Sequence, residues 1–399
     1  MFRPNSLTLI LLVGGLAASG PLSTDMYVPA MPSLTDDLGT SVGMVTLTLS
    51  LYLWAFALGQ LVFGPVSDRF GRRPALLGGL TLYTAASVAC ALAPNIETLI
   101  AARSVQALGA CSGQVLSRAI IRDLHEGTTG TRVLAHTTVI MGLSSMFAPV
   151  GGGYLTVWAD WRAVFWALTG YGVIFGLVVA FGFKESLARP DVNAIQPLRM
   201  LRSFAYLIRN RTFSGYTFSL CFLFAMLYTF ISSGPFVFIG IYGLAPQEFG
   251  LIFTAIASTF IVASLITGRI SHRVGPRRIY GTAILATAAG GVALALAASG
   301  PYAGVVTIVA PMMVISCSMG FLMPVAFATA MAPHPRMAGM ASALIGALIS
   351  GFGAAGGALA GWAFDGSAMP MGLLIGLYCV LAMATFFLVT PRSPAPGTG

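Results

Sequence analysis

The stretch GQLVFGPVSDRFGRR, residues 59–73, closes an apolar run with Gly64, Asp68, Arg69, Gly71, Arg72 and Arg73. A second stretch, GRISHRVGPR at 268–277, keeps its spacing. Gly64, Ser67, Arg69, Gly71 and Arg73 recur as Gly268, Ser271, Arg273, Gly275 and Arg277, each 204 positions later, while Asp68 is replaced by His272. A loop copied at about half the chain length marks a duplicated unit, and paired membrane bundles of this kind hold substrate between them. Apolar runs between polar breaks predict twelve helices near 7–31, 43–66, 74–94, 97–119, 133–157, 162–184, 213–240, 247–270, 277–299, 302–326, 337–363 and 370–390. The predicted organisation is an N-terminal six-helix bundle (1–184), a cytoplasmic linker (185–212) and a C-terminal six-helix bundle (213–399).

Composition demands the same class. Of 399 residues, 57% are hydrophobic and 8% charged, and mean hydropathy is +0.86. A water-facing surface carries about 25–35% charged side chains, whereas spans of roughly 20 apolar residues account for this chain. The fold class is therefore an all-α membrane protein. Residues 1–20 imitate a secretory leader, but the apolar run continues to Met31, so they are expected to remain as part of the first span. The five cysteines fall in separate apolar runs without CxxC spacing and read as small buried hydrophobes.

The net charge of +9 does not indicate nucleic acid as a partner. Its cations occupy alternate loops: Arg69, Arg72 and Arg73, then Arg118, Arg122 and Arg132, then Lys184 to Arg211, then Arg269 to Arg278. The opposite loops carry Asp36, Asp37, Glu97, Asp160, Glu248 and Asp365, with Arg162 their one cation. This is the positive-inside pattern, and it places both termini in the cytoplasm.

Two charges fall inside predicted spans. Asp25 lies between Pro21 and Pro29 in the first. Pro29 cannot donate to the Asp25 carbonyl, so the helix is expected to kink there. Arg103 begins a stripe on the fourth helix that continues through Gln106, Ala110, Gln114 and Ser117 at steps of three or four. Charges at this depth face a cavity or a partner. Burial and a nearby Arg103 pull the Asp25 proton in opposite directions, as proton coupling requires. Pro149 with Gly151, Gly152 and Gly153 allows a bend and close packing in the fifth helix. Asp123, beside Arg122, is a candidate member of an ionic cluster with the Asp68 loop, and Tyr27 and Tyr228 are candidate cavity aromatics.

GPVSDRFGRR resembles the loop 2–3 signature of the major facilitator superfamily. Ala102-Arg103-Ser104-Val105-Gln106-Ala107-Leu108-Gly109 resembles that family's fourth-helix arginine motif, and Ala148-Pro149-Val150-Gly151-Gly152 its antiporter motif. Ser23 to Pro32 and Ile121-Arg122-Asp123-Leu124 resemble the Bcr/CflA drug-efflux branch of the drug/proton antiporter group. The resemblance implies two pseudo-symmetric six-helix bundles in a bacterial inner membrane. It also implies a monomeric proton-coupled efflux antiporter, not an enzyme, working by alternating access without a cofactor. Asp25 and Arg103 would couple proton and substrate, with Tyr27, Gln106, Gln114 and Tyr228 in the cavity. Gly64, Asp68, Arg69, Gly71, Arg72, Arg73 and Asp123 would form the conformational switch. With a single intramembrane carboxylate, the expected cargo is a neutral or weakly charged amphipathic drug, such as a bicyclomycin-like or phenicol compound. The alternative is a transporter of a small metabolite on the same fold.

Overall fold

The computed structural model describes residues 7–125, 127–187, 197–301, 303–334 and 337–391. Among them every regular element is helical. The first half contains α1 Leu7–Asp25, a 3-10 turn Val28–Ala30, α2 Met31–Asp37, α3 Val42–Phe70, α4 Arg72–Ala91, α5 Ile96–Leu124, α6 Gly127–Trp158 and α7 Trp161–Gly182. The second contains α8 Pro197–Arg209, α9 Arg211–Pro235 with a π-helical extension Phe236–Ile241, α10 Pro246–Val274, α11 Pro276–Ser299, α12 Val305–Met331, α13 Ala338–Trp362 and α14 Met369–Val389. Contacts group the chain into two compact units, Met1–Gln196 with Pro235–Thr254, and Pro197–Gly234 with Ala255–Gly399.

Eleven helical stretches among the described residues are long and apolar enough to cross a membrane. The predicted span 97–119 is not one of them. It forms α5, which is long enough at 29 residues but carries many polar groups. Those groups are hidden: Arg103, Gln106, Ser112 and Ser117 are buried, and α5 packs against α1, α3 and α4. Lipid meets the opposite kind of surface, typified by Phe181 and Trp362, 86% and 83% exposed at the ends of their spans.

The structure adds detail at two places. The first predicted span, 7–31, breaks after Asp25, where a kink is expected, and the same apolar stretch continues through α2 to Asp37. The polar linker 185–212 contains a helix, α8, because Leu198, Leu201, Phe204 and Leu207 recur nearly every turn and Pro197 suits a helix start.

The duplicated loop survives in three dimensions. α3 and α10 each have 29 residues and are related by the same 204-residue offset. Gly71 and Gly275 both turn with positive φ, at +100° and +83°, a region that a side chain disfavours. Arg73 Nη2 donates to the Ala180 carbonyl at 2.7 Å, near the end of α7. Its copy, Arg277, donates to the Pro391 carbonyl just beyond α14. Each unit thus ties its loop to the end of its own last helix. Elsewhere, Leu9, Leu12, Val13 and Leu16 of α1 share one buried cluster with Leu76, Leu80, Leu116 and Ile120, and in the second unit the Phe386 and Tyr280 rings meet at 4.6 Å, tilted by 42°.

Candidate functional site

Asp25 ends α1, and the proline-containing turn Val28–Ala30 carries the chain into α2. Its side chain is 5% exposed. Thr24 Oγ1 donates to one carboxylate oxygen at 2.9 Å, and Ser145 Oγ on α6 donates to the other. Among the described residues no ion pair reaches it. α6 comes this close because Gly152 has no side chain: a Cβ there would lie 1.9 Å from the Met26 carbonyl oxygen. A Cβ on Gly153 would meet the Gln247 Cα at 2.7 Å, and one on Gly250 would meet the Pro149 carbonyl at 2.8 Å. Gly151 faces open space. The glycines of this motif therefore have different surroundings, and only Gly152 touches the Asp25 segment.

Arg103 is fully buried but is not joined to Asp25. One Nη1 hydrogen bonds to the Ser23 carbonyl at 3.0 Å and to Gln106 Oε1 at 2.8 Å. The guanidinium carbon lies over three aromatic rings: Tyr27 at 4.5 Å, Tyr52 at 4.4 Å and Phe165 at 5.7 Å. An aromatic cage stabilises a desolvated cation through the negative ring faces. Polar contacts extend outward from it. Gln106 Nε2 donates to Ser87 Oγ at 2.8 Å, Ser23 Oγ pairs with Tyr83 Oη at 2.8 Å, and Tyr27 Oη pairs with Thr48 Oγ1 at 2.7 Å. Tyr27 and Gln106 are thus walls and struts of the arginine cage, fully buried themselves.

The rest of the stripe follows the α5 face toward α1 and α6. Ser19 Oγ donates to the Ala110 carbonyl at 2.7 Å, and Gln114 Nε2 approaches Met141 Sδ at 3.9 Å. Tyr228 lies on α9 in the second unit, half-buried, with its ring where a Gly353 Cβ would sit. Among the described residues no cluster of His, Cys, Asp or Glu could hold a metal ion.

The 64–73 motif builds a second centre. Arg72, 2% exposed, bridges Asp68 at 2.6 Å and Asp123 at 2.8 Å, and also donates to Ser67 Oγ at 2.6 Å. Ser67 Oγ in turn donates to the Gly64 carbonyl at 2.8 Å. Arg69 is exposed and lies over the Phe70 ring at 5.3 Å. The α4 N-terminus is capped from afar by Glu185, which accepts from the Arg72 and Arg73 backbone N–H groups at 2.9 and 3.0 Å. A carboxylate there satisfies free donors and opposes the helix dipole. Gly71 leaves room for it, since a Cβ would lie 2.7 Å from Glu185 Oε2.

Two outcomes follow. Asp68→Asn keeps the hydrogen-bond geometry but removes one charge from a pair whose carboxylate is partly exposed, worth about 1 kcal/mol. Turnover in proteoliposomes should fall roughly fivefold while the drug dissociation constant stays unchanged; unaltered turnover would make the motif a folding element only. Glu185→Ala removes a cap worth about 1 kcal/mol, so the thermal midpoint in detergent should drop, whereas Glu185→Gln should retain part of it.

Sequence reasoning did not find Ser145, Phe165 or Glu185 as partners. Glu185 lay in the polar break after α7, and nothing in its spacing linked it to Arg72, 113 positions away.

The Major Facilitator Superfamily model matches residues 13–358 and 235–398. The chain is 33% identical to the MFS-type transporter YdgK of Bacillus subtilis over 386 residues, 96% of each chain. It is 30% identical to a bicyclomycin resistance protein homologue of Haemophilus influenzae over 397 residues, 98% of each. Its fold is similar to the crystal structure of a bacterial homologue of the human lysosomal transporter Spinster, with TM-score 0.78 at 16% identity, covering 99% of this chain and 100% of that one. The copied loop, the doubled helical pattern and a match running through both halves agree: this chain belongs to the Major Facilitator Superfamily.

Proposed function

We propose that this chain exports neutral or weakly charged amphipathic drugs in exchange for protons, by alternating access. The observation that carries this reading is Asp25, a buried carboxylate held by two hydroxyls and joined to no ion pair among the described residues, at the point where the first helix breaks. Such a group has two comparable states, an anion held by Thr24 and Ser145 and a neutral acid that needs no counter-charge. A proton arriving from outside neutralises Asp25 and releases the drug; its loss inside restores the form that favours drug binding. Arg103 positions the Ser23 carbonyl two residues away, and the Asp68–Arg72–Asp123 cluster acts as the switch on the arginine-rich side. The relationship to a bicyclomycin resistance protein homologue supports a drug as cargo. The transporter works as a monomer in a bacterial inner membrane with both termini cytoplasmic, driven by the proton gradient without a cofactor.

The test is a resistance screen across antibiotics and dyes in an efflux-deficient bacterium, with and without a protonophore, followed by proton counterflow in proteoliposomes. Resistance abolished by the protonophore, and drug movement opposed by protons, is the expected result. Cargo movement without proton movement would instead favour a facilitator for a small metabolite.

A further inference from the structure

We propose that α8 is an interfacial helix that binds the anionic phospholipid headgroups of the leaflet on the arginine-rich side. One face of α8 is fixed to its own unit. Leu207 is fully buried, the Tyr206 ring meets His334 at 5.6 Å, and Ser214 Oγ donates to the Ile208 carbonyl at 2.5 Å. The rest points away from the protein. Arg202, Arg209 and Arg211 are exposed, beside Ile208 at 41% exposure, and Tyr206 remains 60% exposed beyond its contact with His334. None of the three arginines joins an ion pair among the described residues. No acidic residue occurs between Asp191 and Glu248, so no nearby carboxylate in the sequence is available to them.

Uncompensated guanidiniums interleaved with exposed aromatic and aliphatic side chains are complementary to an anionic bilayer surface, where charge attraction and shallow apolar insertion act together. Place reinforces chemistry. α8 ends at Arg209 and the membrane helix α9 starts at Arg211, with Asn210 alone between them. Asn210 Oδ1 accepts from the Phe213 N–H at 3.0 Å, which fixes that junction. The helix is thus tethered at headgroup level, where the planar guanidinium can hold a phosphodiester through two hydrogen bonds. The positive-inside distribution makes this the cytoplasmic leaflet.

The test uses the full chain, labelled with a nitroxide at the exposed position Ala205→Cys in a Cys317→Ser background; the other four cysteines are buried. Collisions with oxygen and with a water-soluble nickel chelate are compared in vesicles of phosphatidylcholine alone and of equimolar phosphatidylcholine and phosphatidylglycerol. Anionic lipid should lower nickel access and raise oxygen access. Each of Arg202→Gln, Arg209→Gln and Arg211→Gln should weaken this local docking about fivefold, the value of one basic residue near such a surface. Arg278→Gln, an exposed arginine elsewhere, should leave it unchanged. Equal nickel access in the two vesicle types would overturn the proposal, and that wild-type comparison stands whether or not the variants fold.

Discussion

Asp25→Asn is expected to reduce proton-driven drug export by about a hundredfold or more, the lower range of what a positioned proton-transfer group contributes. Asparagine matches aspartate in size and keeps an oxygen that accepts from Thr24 or Ser145, the two donors that hold the carboxylate. The break after α1 is set by Pro29 and the close approach of α6, neither of which depends on the charge. What disappears is titration. Downhill drug–drug exchange in proteoliposomes should therefore persist and become independent of pH, while accumulation driven by a pH gradient is lost. Gradient-driven accumulation at the wild-type rate would remove Asp25 from the coupling step.

The architecture was legible because it rests on periodicity and composition. A loop that repeats at a 204-residue offset fixed the two-fold organisation, and its glycines returned with positive φ in both copies. Apolar runs located the spans even for α5, whose average composition is too polar to qualify by itself. The site was legible only as residue types. Asp25 and Arg103 stood out because charges at such depth are costly, but a linear sequence does not say which groups meet them. The expected counter-charge is an example. Arg103 approaches Asp25 in sequence logic, yet three aromatic rings and the Ser23 carbonyl hold it instead. Ser145 escaped notice because serines are common in such helices and only the contact across α1 and α6 distinguishes it.

Comparing the two loop copies separates a structural role from a switching one. The clamp on the last helix is retained by Arg73 and Arg277. The ionic cluster is not, because Asp68 becomes His272 and Arg72 becomes Pro276. Pro276 also removes an N–H that would need a cap at the start of α11, so that copy does not require the Glu185 arrangement at its first position. Fold maintenance is shared between the units, whereas the charge network capable of breaking and re-forming belongs to the first.

Gly152→Ala is the smallest substitution with a comparably large expected effect. The added methyl would lie 1.9 Å from the Met26 carbonyl oxygen and 2.9 Å from the Met26 Cα. Both are backbone atoms at the helix break, so no side chain can swing aside and α6 must move away from α1. Overpacking of this kind costs about 1–3 kcal/mol. Ser145 is seven residues earlier on α6, two turns along the same face, so the displacement also draws its hydroxyl from Asp25. Gly151→Ala supplies the control, because its methyl would enter open space. Gly152→Ala should lower proton-coupled transport about tenfold or more, as a barrier increase of about 1.4 kcal/mol requires, and should alter its pH profile. Gly151→Ala should transport as the wild type does. If the two variants are equally active at matched expression, the close approach at Met26 is not what holds Ser145 on Asp25.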